Sequence, residues 1–210
     1  MSNYRIIFSK KGCLSFISHL DFNHSFIRIL KRAGLPLRYS EGFNPRPKIV
    51  FGLPLSVGME GENEIVDIGL TEELTCEEVK KRLSNAVPDE MVIKEVIVPE
   101  LKVKNIRFAE YTVRFENYTA DAKKIYDVLS NPPQVLKHTK SGDKMTDIKP
   151  MIVSYSVDSE IDASVLRLTL TAFDSNYLNP EYVVASLNNA GLNLPEEYTI
   201  TREKIIFSDK

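Results

Sequence analysis

The stretch YRIIFSKKGCLSFISHLDFNHSFIRILKRAG, residues 4–34, decides the fold. Its first six residues read as a strand with Tyr4, Ile6 and Phe8 on one face, because side chains alternate along an extended backbone. A helix follows. Ser18 is a suitable N-cap, Asp21 puts negative charge near the helix start, and Leu20, Phe26, Ile27, Leu30 and Ala33 return at helical spacing. Gly34 and Pro36 stop it, since glycine accepts the left-handed turn after a helix and proline lacks the N–H needed to continue one. Working outward, the apolar runs Lys48–Leu53 and Glu64–Leu70 flank a turn-rich stretch around Gly58 and Gly61 and predict paired strands. A second helix is expected over Thr75–Ala86, capped by Thr75 with Val79 and Leu83 inward, and a strand over Met91–Val98. The order is β-α-β-β-α-β.

That order recurs. FAEYTVRFE, residues 108–116, alternates cleanly and marks a half-buried strand. Asp121 caps a helix reaching Leu129, followed by a run Gln134–Thr139, a polar turn at Ser141–Asp143 and an undecided stretch Thr146–Val157. The strand Val165–Phe173, a helix Pro180–Ala190 ended by Gly191, and the strand Tyr198–Phe207 complete the reading. The expected fold class is therefore α+β, with two tandem ferredoxin-like (split βαβ) sandwiches, antiparallel sheets with helices on one face. A basic-loop domain is expected over residues 1–100 and a second over 107–210, joined between Pro99 and Arg107. A single continuous α+β domain is the alternative.

With 210 residues, 43% of them hydrophobic, the chain has the means to bury a substantial core. No run approaches the roughly 18–20 apolar residues that span a bilayer, and MSNYRIIFSKKG lacks the layout of an export signal, so a cytoplasmic location is expected. Cys13 and Cys76 are far apart without a CxxC neighbour, which points away from a disulfide framework or a zinc or iron–sulfur site and toward buried or half-buried thiols.

The net charge of −2 conceals an uneven distribution. Residues 1–50 carry nine Lys/Arg against two Asp/Glu, a balance of +7, and residues 51–100 carry four against twelve, a balance of −8. A phosphate backbone meets the local field rather than the sum. The competing reading is that the two segments pair and cancel. On the first helix His24, Arg28, Lys31 and Arg32 form one polar stripe opposite the apolar one, and the loop beyond adds Arg38, Arg46 and Lys48 against Glu41 alone. Gly42 permits positive φ, while Pro45 and Pro47 stiffen the chain around Arg46 and push Asn44 toward an extended shape. Tyr39 and Phe43 interleave aromatic surface with these charges, which suits stacking on bases beside phosphate pairing. A solvated helix face and a tight turn that caps the core are the plainer readings of the same residues.

The candidate nucleic-acid-binding residues are thus Arg28, Lys31, Arg32, Arg38, Tyr39, Phe43, Asn44, Arg46 and Lys48. Catalysis is not implied. His19, Asp21 and His24 lie close in sequence, but the third histidine, His138, is in the other half, so a metal site lacks ligands. Ser18-x-x-Asp21 is explained by capping, and Glu64 and Asp67 fall on opposite faces of a regular strand. P-loop, dinucleotide and nucleophile-elbow motifs are missing, and no cofactor is implied.

GCLSFISHLDFNHSFIRILKRAGLPLRYSEGFNPRPKIVFGLPLSVGMEGENEIVDI, residues 12–68, resembles the bacterial radical-SAM-linked domain, with MTDIKPMI at residues 145–152 resembling its weaker second signature. The resemblance is carried by SHLD, by RAGLP followed by YSEGFNPRPK, and by NEIVDI, so Ser18, His19, Asp21, Ser40, Gly42 and Glu64 are motif positions of unassigned role. It implies an accessory protein acting beside a radical-SAM enzyme in trans, on RNA or ribosome-related work. This chain lacks the CxxxCxxC cluster such an enzyme requires. Two other functions are compatible with the same residues: an adaptor docking the same loop onto a protein partner, and a metal-independent endoribonuclease relying on His19 or His24.

Overall fold

A computed structural model describes residues 2–139, 142–173 and 176–208. The chain divides into two compact units, Met1–Ile106 with Arg202–Lys210, and Arg107–Thr201.

The first unit opens with β1 (Ser2–Lys10), α1 (His19–Arg32), β2 (Ile49–Phe51), β3 (Glu60–Leu70), α2 (Cys76–Ser84) and β4 (Ile93–Ile97), the order read from the sequence. β1 lies between β4 and β3 and is antiparallel to both, with Ile6 opposite Val66 and Val96, while β2 pairs antiparallel with β3 through Val50 and Asp67. Both helices are capped as expected. Ser18 Oγ accepts from the Asp21 N–H at 3.2 Å and Thr75 Oγ1 from the Glu78 N–H at 3.1 Å, satisfying donors that a helix start leaves open.

Tyr4, Ile6 and Phe8 of β1 and Val66, Ile68 and Leu70 of β3 bury their alternate side chains against Phe22, Phe26, Ile29 and Leu30 of α1 and Val79 and Leu83 of α2. Phe8, Phe22, Phe26 and Phe51 form an aromatic cluster with ring centroids 5.5–6.0 Å apart. The inward stripe of α1 is thus rotated from the one expected. Leu20 is 62% exposed, and Phe22 and Ile29 take the inward places because they complete the i, i+4, i+7, i+8 face with Phe26 and Leu30. Cys13 is exposed rather than buried, lying in the short helical turn Gly12–Phe16, and Cys76 is half-buried.

The second unit contains β5 (Ile106–Glu116) from Arg107 onward, α3 (Ala122–Ser130), β6 (Val135–Thr139), β7 (Gly142–Thr146), β8 (Ile152–Ser159), β9 (Ala163–Thr171) and α4 (Pro180–Asn189). β9 pairs antiparallel with both β5 and β8, while β6 and β7 form a separate two-stranded hairpin. Ala109, Tyr111, Val113 and Phe115 are the buried phase of β5, as its alternation predicts. Asp143, expected in a turn, lies inside β7; Ser141 falls outside the described residues. The undecided stretch resolves into a short helical turn, Lys149–Met151, and β8, with Ile148 and Met151 of the second signature buried. This unit thus has two strands more between its helices than the first.

β10 (Thr199–Phe207) ends the described chain, and from Arg202 onward it belongs to the first unit, where it neighbours β3 and Asn63 donates to the Glu203 carbonyl at 2.7 Å. Among the described residues no helix is long and apolar enough to cross a membrane.

Candidate nucleic-acid interface and a buried cationic cavity

The loop after α1 is a hydrogen-bonded arm. The Arg38 N–H donates to the Gly69 carbonyl at 2.8 Å, the Lys48 N–H to the Arg38 carbonyl at 2.8 Å and the Gly69 N–H to the Lys48 carbonyl at 3.0 Å, so the root is stitched to β3. Further out Tyr39 bridges Pro47, the Ser40 N–H donates to the Arg46 carbonyl at 2.8 Å, and Ser40 Oγ accepts from the Arg46 N–H at 3.0 Å. This gives the motif position Ser40 a local role. Gly42, at φ +118°, turns the tip through a conformation that side chains with a Cβ rarely adopt. Phe43, Asn44 and Arg46 are exposed there, Phe43 completely, and Tyr39 and Lys48 are exposed lower on the arm.

His24, Arg28, Lys31 and Arg32 are all exposed on α1. Arg28 and Arg32 border an apolar slot of about 300 Å³ lined by Leu14, Phe22, Ile29, Pro88 and Met91. The Arg32 guanidinium donates to the Ala86 carbonyl. Arg38 differs from the other arm cations, because its guanidinium packs over Gly69 and donates to Asn3 Oδ1 at 2.7 Å.

Four acids of residues 51–100 are engaged by other cations. Asp67 takes Arg5 at 2.7 Å, Glu62 takes Lys94 at 2.7 Å and also Lys11, Glu78 takes Arg82 at 2.7 Å, and Glu64 takes Arg202. Among the described residues, none forms an ion pair with Arg28, Lys31, Arg32, Arg38, Arg46 or Lys48. Cancellation by direct pairing therefore reaches only Arg5 and Lys11 of the nine early cations.

A second feature joins two of the motif positions. Glu64 is 5% exposed and Arg202 1%; Arg202 Nε donates to Glu64 Oε1 at 2.8 Å, and Nη2 donates to the other carboxylate oxygen and, at 2.5 Å, to the Leu53 carbonyl. Beside the pair, Lys10, 2% exposed, and the half-buried His19 line a cavity of about 10 Å³ with Phe8, Phe22, Phe51 and Leu55. The Lys10 ammonium lies 4.9 Å from the Phe22 ring centroid, and the His19 ring meets Phe51 edge-on at 5.2 Å. Burial holds the Lys10 amine below its ordinary range, opposed by Glu64 and assisted by Arg202. Burial also lowers the His19 imidazole, and Lys10 adds to that. Ser18 and Asp21 stay outside this cluster, where they cap α1 and Ser18 Oγ donates to Asp21 Oδ2 at 2.7 Å.

Lys10 and Arg202 were not among the residues singled out from the sequence, yet a signal for them exists. Lys10 continues the inward phase Tyr4, Ile6, Phe8; Glu64 shares that of Val66, Ile68 and Leu70; Arg202 shares that of Ile200. Charges that replace apolar residues in the inward phase of neighbouring strands are the mark of a buried ionic cluster.

The chain belongs to the bacterial family described as "Uncharacterized protein conserved in bacteria (DUF2344)", whose model matches residues 3–180. No curated protein matches it in sequence. Among solved structures it is similar to a chain of a Cbf5-Nop10-Gar1 complex, with TM-score 0.54 and 11% identity over 99% of this chain and 50% of that one. It is likewise similar to a chain of an H/ACA RNP bound to a substrate RNA containing 2'-deoxyuridine, with TM-score 0.51 and 10% identity over 99% of this chain and 49% of that one. The protein thus spans about half the length of each of these two chains, and at this identity the likeness is one of fold.

Proposed function

We propose that this protein binds RNA, a tRNA or rRNA, through the exposed face of α1 and the arm at residues 38–48, and presents it to a radical-SAM modification enzyme in trans. The observation that carries the reading is the set of exposed cations Arg28, Lys31, Arg46 and Lys48, left without acidic partners among the described residues beside the exposed Phe43 and Tyr39. Guanidinium and ammonium groups pair with phosphates, and aromatic faces take unstacked bases. The slot between Arg28 and Arg32 has room for such a base. The fold likeness to a chain from a complex holding a substrate RNA supports the same direction. The partner enzyme rests on the resemblance of the SHLD and YSEGFNPRPK motifs. Treating the two units as ferredoxin-like domains belongs to this proposal as well, with the bounds 1–100 and 107–210 read from the sequence shifted by the passage of Arg202–Lys210 to the first unit; the strand neighbours β4-β1-β3-β2 support it in that unit.

Filter binding to total cellular RNA across a salt series tests the reading. Affinity is expected to fall steeply with salt, and Arg28→Glu with Arg46→Glu to lower it by about tenfold or more. Absence of binding, or binding indifferent to salt and to both substitutions, overturns it. A protein partner retained on the arm through nuclease and high salt then makes the adaptor the better reading.

A further inference from the structure

Within the first unit, the cavity between β1, β3 and the start of α1 holds a charge imbalance. The Glu64 carboxylate is spent on Arg202, which binds both of its oxygens and the Leu53 carbonyl. Lys10 is almost wholly enclosed as a residue, but its ammonium nitrogen keeps solvent contact and donates no hydrogen bond among the described residues; its neighbours are the Phe22 ring and the field of Glu64. With His19 neutral, one positive charge is left over beside a cavity that Phe8, Phe22, Phe51 and Leu55 line together with Glu64, whose two carboxylate oxygens are both held by Arg202. A cation held in a largely apolar site with no hydrogen-bonding counterpart in the protein is costly, and that cost is what an arriving anion relieves. The space is of the order of one water-sized sphere, so a single oxygen fits. His19 is the first residue of α1, and the positive end of that helix adds to the same field.

We propose that this cavity is an oxyanion site, in which one oxygen of a phosphate group is taken onto the Lys10 ammonium beside the His19 imidazole. A tetrahedral phosphate places one oxygen inward and leaves the others hydrated at the mouth. A planar carboxylate has only one further oxygen to keep hydrated at the mouth, so it is expected to bind more weakly. The phosphate belongs either to a nucleic-acid backbone or to a free or terminal phosphate.

Calorimetric titration of the full chain with inorganic phosphate, dimethyl phosphate and acetate, on wild type and Lys10→Met, tests the site. Saturable binding of at least one phosphate probe, weaker for acetate and reduced about tenfold or more in Lys10→Met, is the expected result. Preference for dimethyl phosphate assigns the backbone diester as the source, and preference for inorganic phosphate the free or terminal group. The Lys10 side-chain resonances of the wild type, followed by NMR during the phosphate titration, decide the matter even if Lys10→Met fails to fold. Phosphate is expected to shift the Lys10 resonances while leaving those of the exposed Lys31 and Lys48 in place. No saturable phosphate binding, undiminished binding in folded Lys10→Met, equal binding of acetate, or no selective shift of Lys10 overturns the proposal. RNA takes no part in these readouts, so their outcome is independent of the RNA reading.

Discussion

Glu64 and Arg202 form the ion pair on which the first unit depends most, since both are almost wholly enclosed. Glu64→Gln leaves the guanidinium buried without its anion, and the expected loss is about 3–5 kcal/mol in urea unfolding. A loss below about 1 kcal/mol would place the pair among weak surface bridges instead. Glu62 behaves differently. Hydrogen bonds from Lys11 and then Lys94 hold its carboxyl below the usual carboxylate range, so its contribution is present above the unfolded-state pKa and is lost as pH falls through the depressed folded-state value. Because Glu62 is partly open to solvent, Glu62→Gln is expected to cost at most about 1 kcal/mol at pH 7 and to flatten the acid limb of a stability profile. An acid limb identical to wild type would refute that assignment. At this scale the sequence was legible where a residue's role is local: the caps Ser18, Thr75 and Asp121 are used as caps. The Lys10–Glu64–Arg202 cluster was not, because Arg202 lies 138 positions beyond Glu64 and further still from Lys10, and inward phase is ordinarily a signal of apolar side chains.

The arm owes its position to β3 more than to its own prolines. Its root hydrogen bonds run to Gly69, and a Cβ there would sit 2.8 Å from Arg38 Nε. Gly69→Ala is therefore expected to displace the Arg38 guanidinium and cost about 1–3 kcal/mol. Faster hydrogen exchange at the amides of Arg38 and Lys48 would report the loosened root, and unchanged exchange with unchanged stability would contradict the account. Stiffness of the 38–48 segment was readable from Gly42, Pro45 and Pro47, but its anchoring was not, since nothing in the loop marks Gly69 as its partner. α1 shows the same limit. Its extent and polar stripe followed from spacing, whereas its inward face was misjudged at Leu20, because several faces of a helix rich in apolar residues satisfy the same periodicity until the sheet selects one.

At the scale of the whole chain, the β-α-β-β-α-β order of the first unit was legible because each element carries its own caps, turns and period. Of the hairpin β6–β7 only the run Gln134–Thr139 was legible, because β7 is short and exposed and so lacks an apolar alternation to read. The membership of residues beyond Arg202 in the first unit is a long-range property that local pattern does not encode. A chain ending at Thr201 is expected to lose dispersed amide resonances throughout the first unit, because Glu64 is then buried without its guanidinium, while those of residues 107–201 persist. Retention of the first unit's dispersed spectrum in that truncated chain would show the terminal segment to be dispensable. The same feature constrains synthesis. The ribosome emits Glu64 long before Arg202, and at about 5–20 residues per second the interval between them is roughly seven to twenty-eight seconds. Throughout that time the nascent amino-terminal half carries an unmet acid in its interior, so its final consolidation trails translation and the unfinished edge of β3 is open to chaperones.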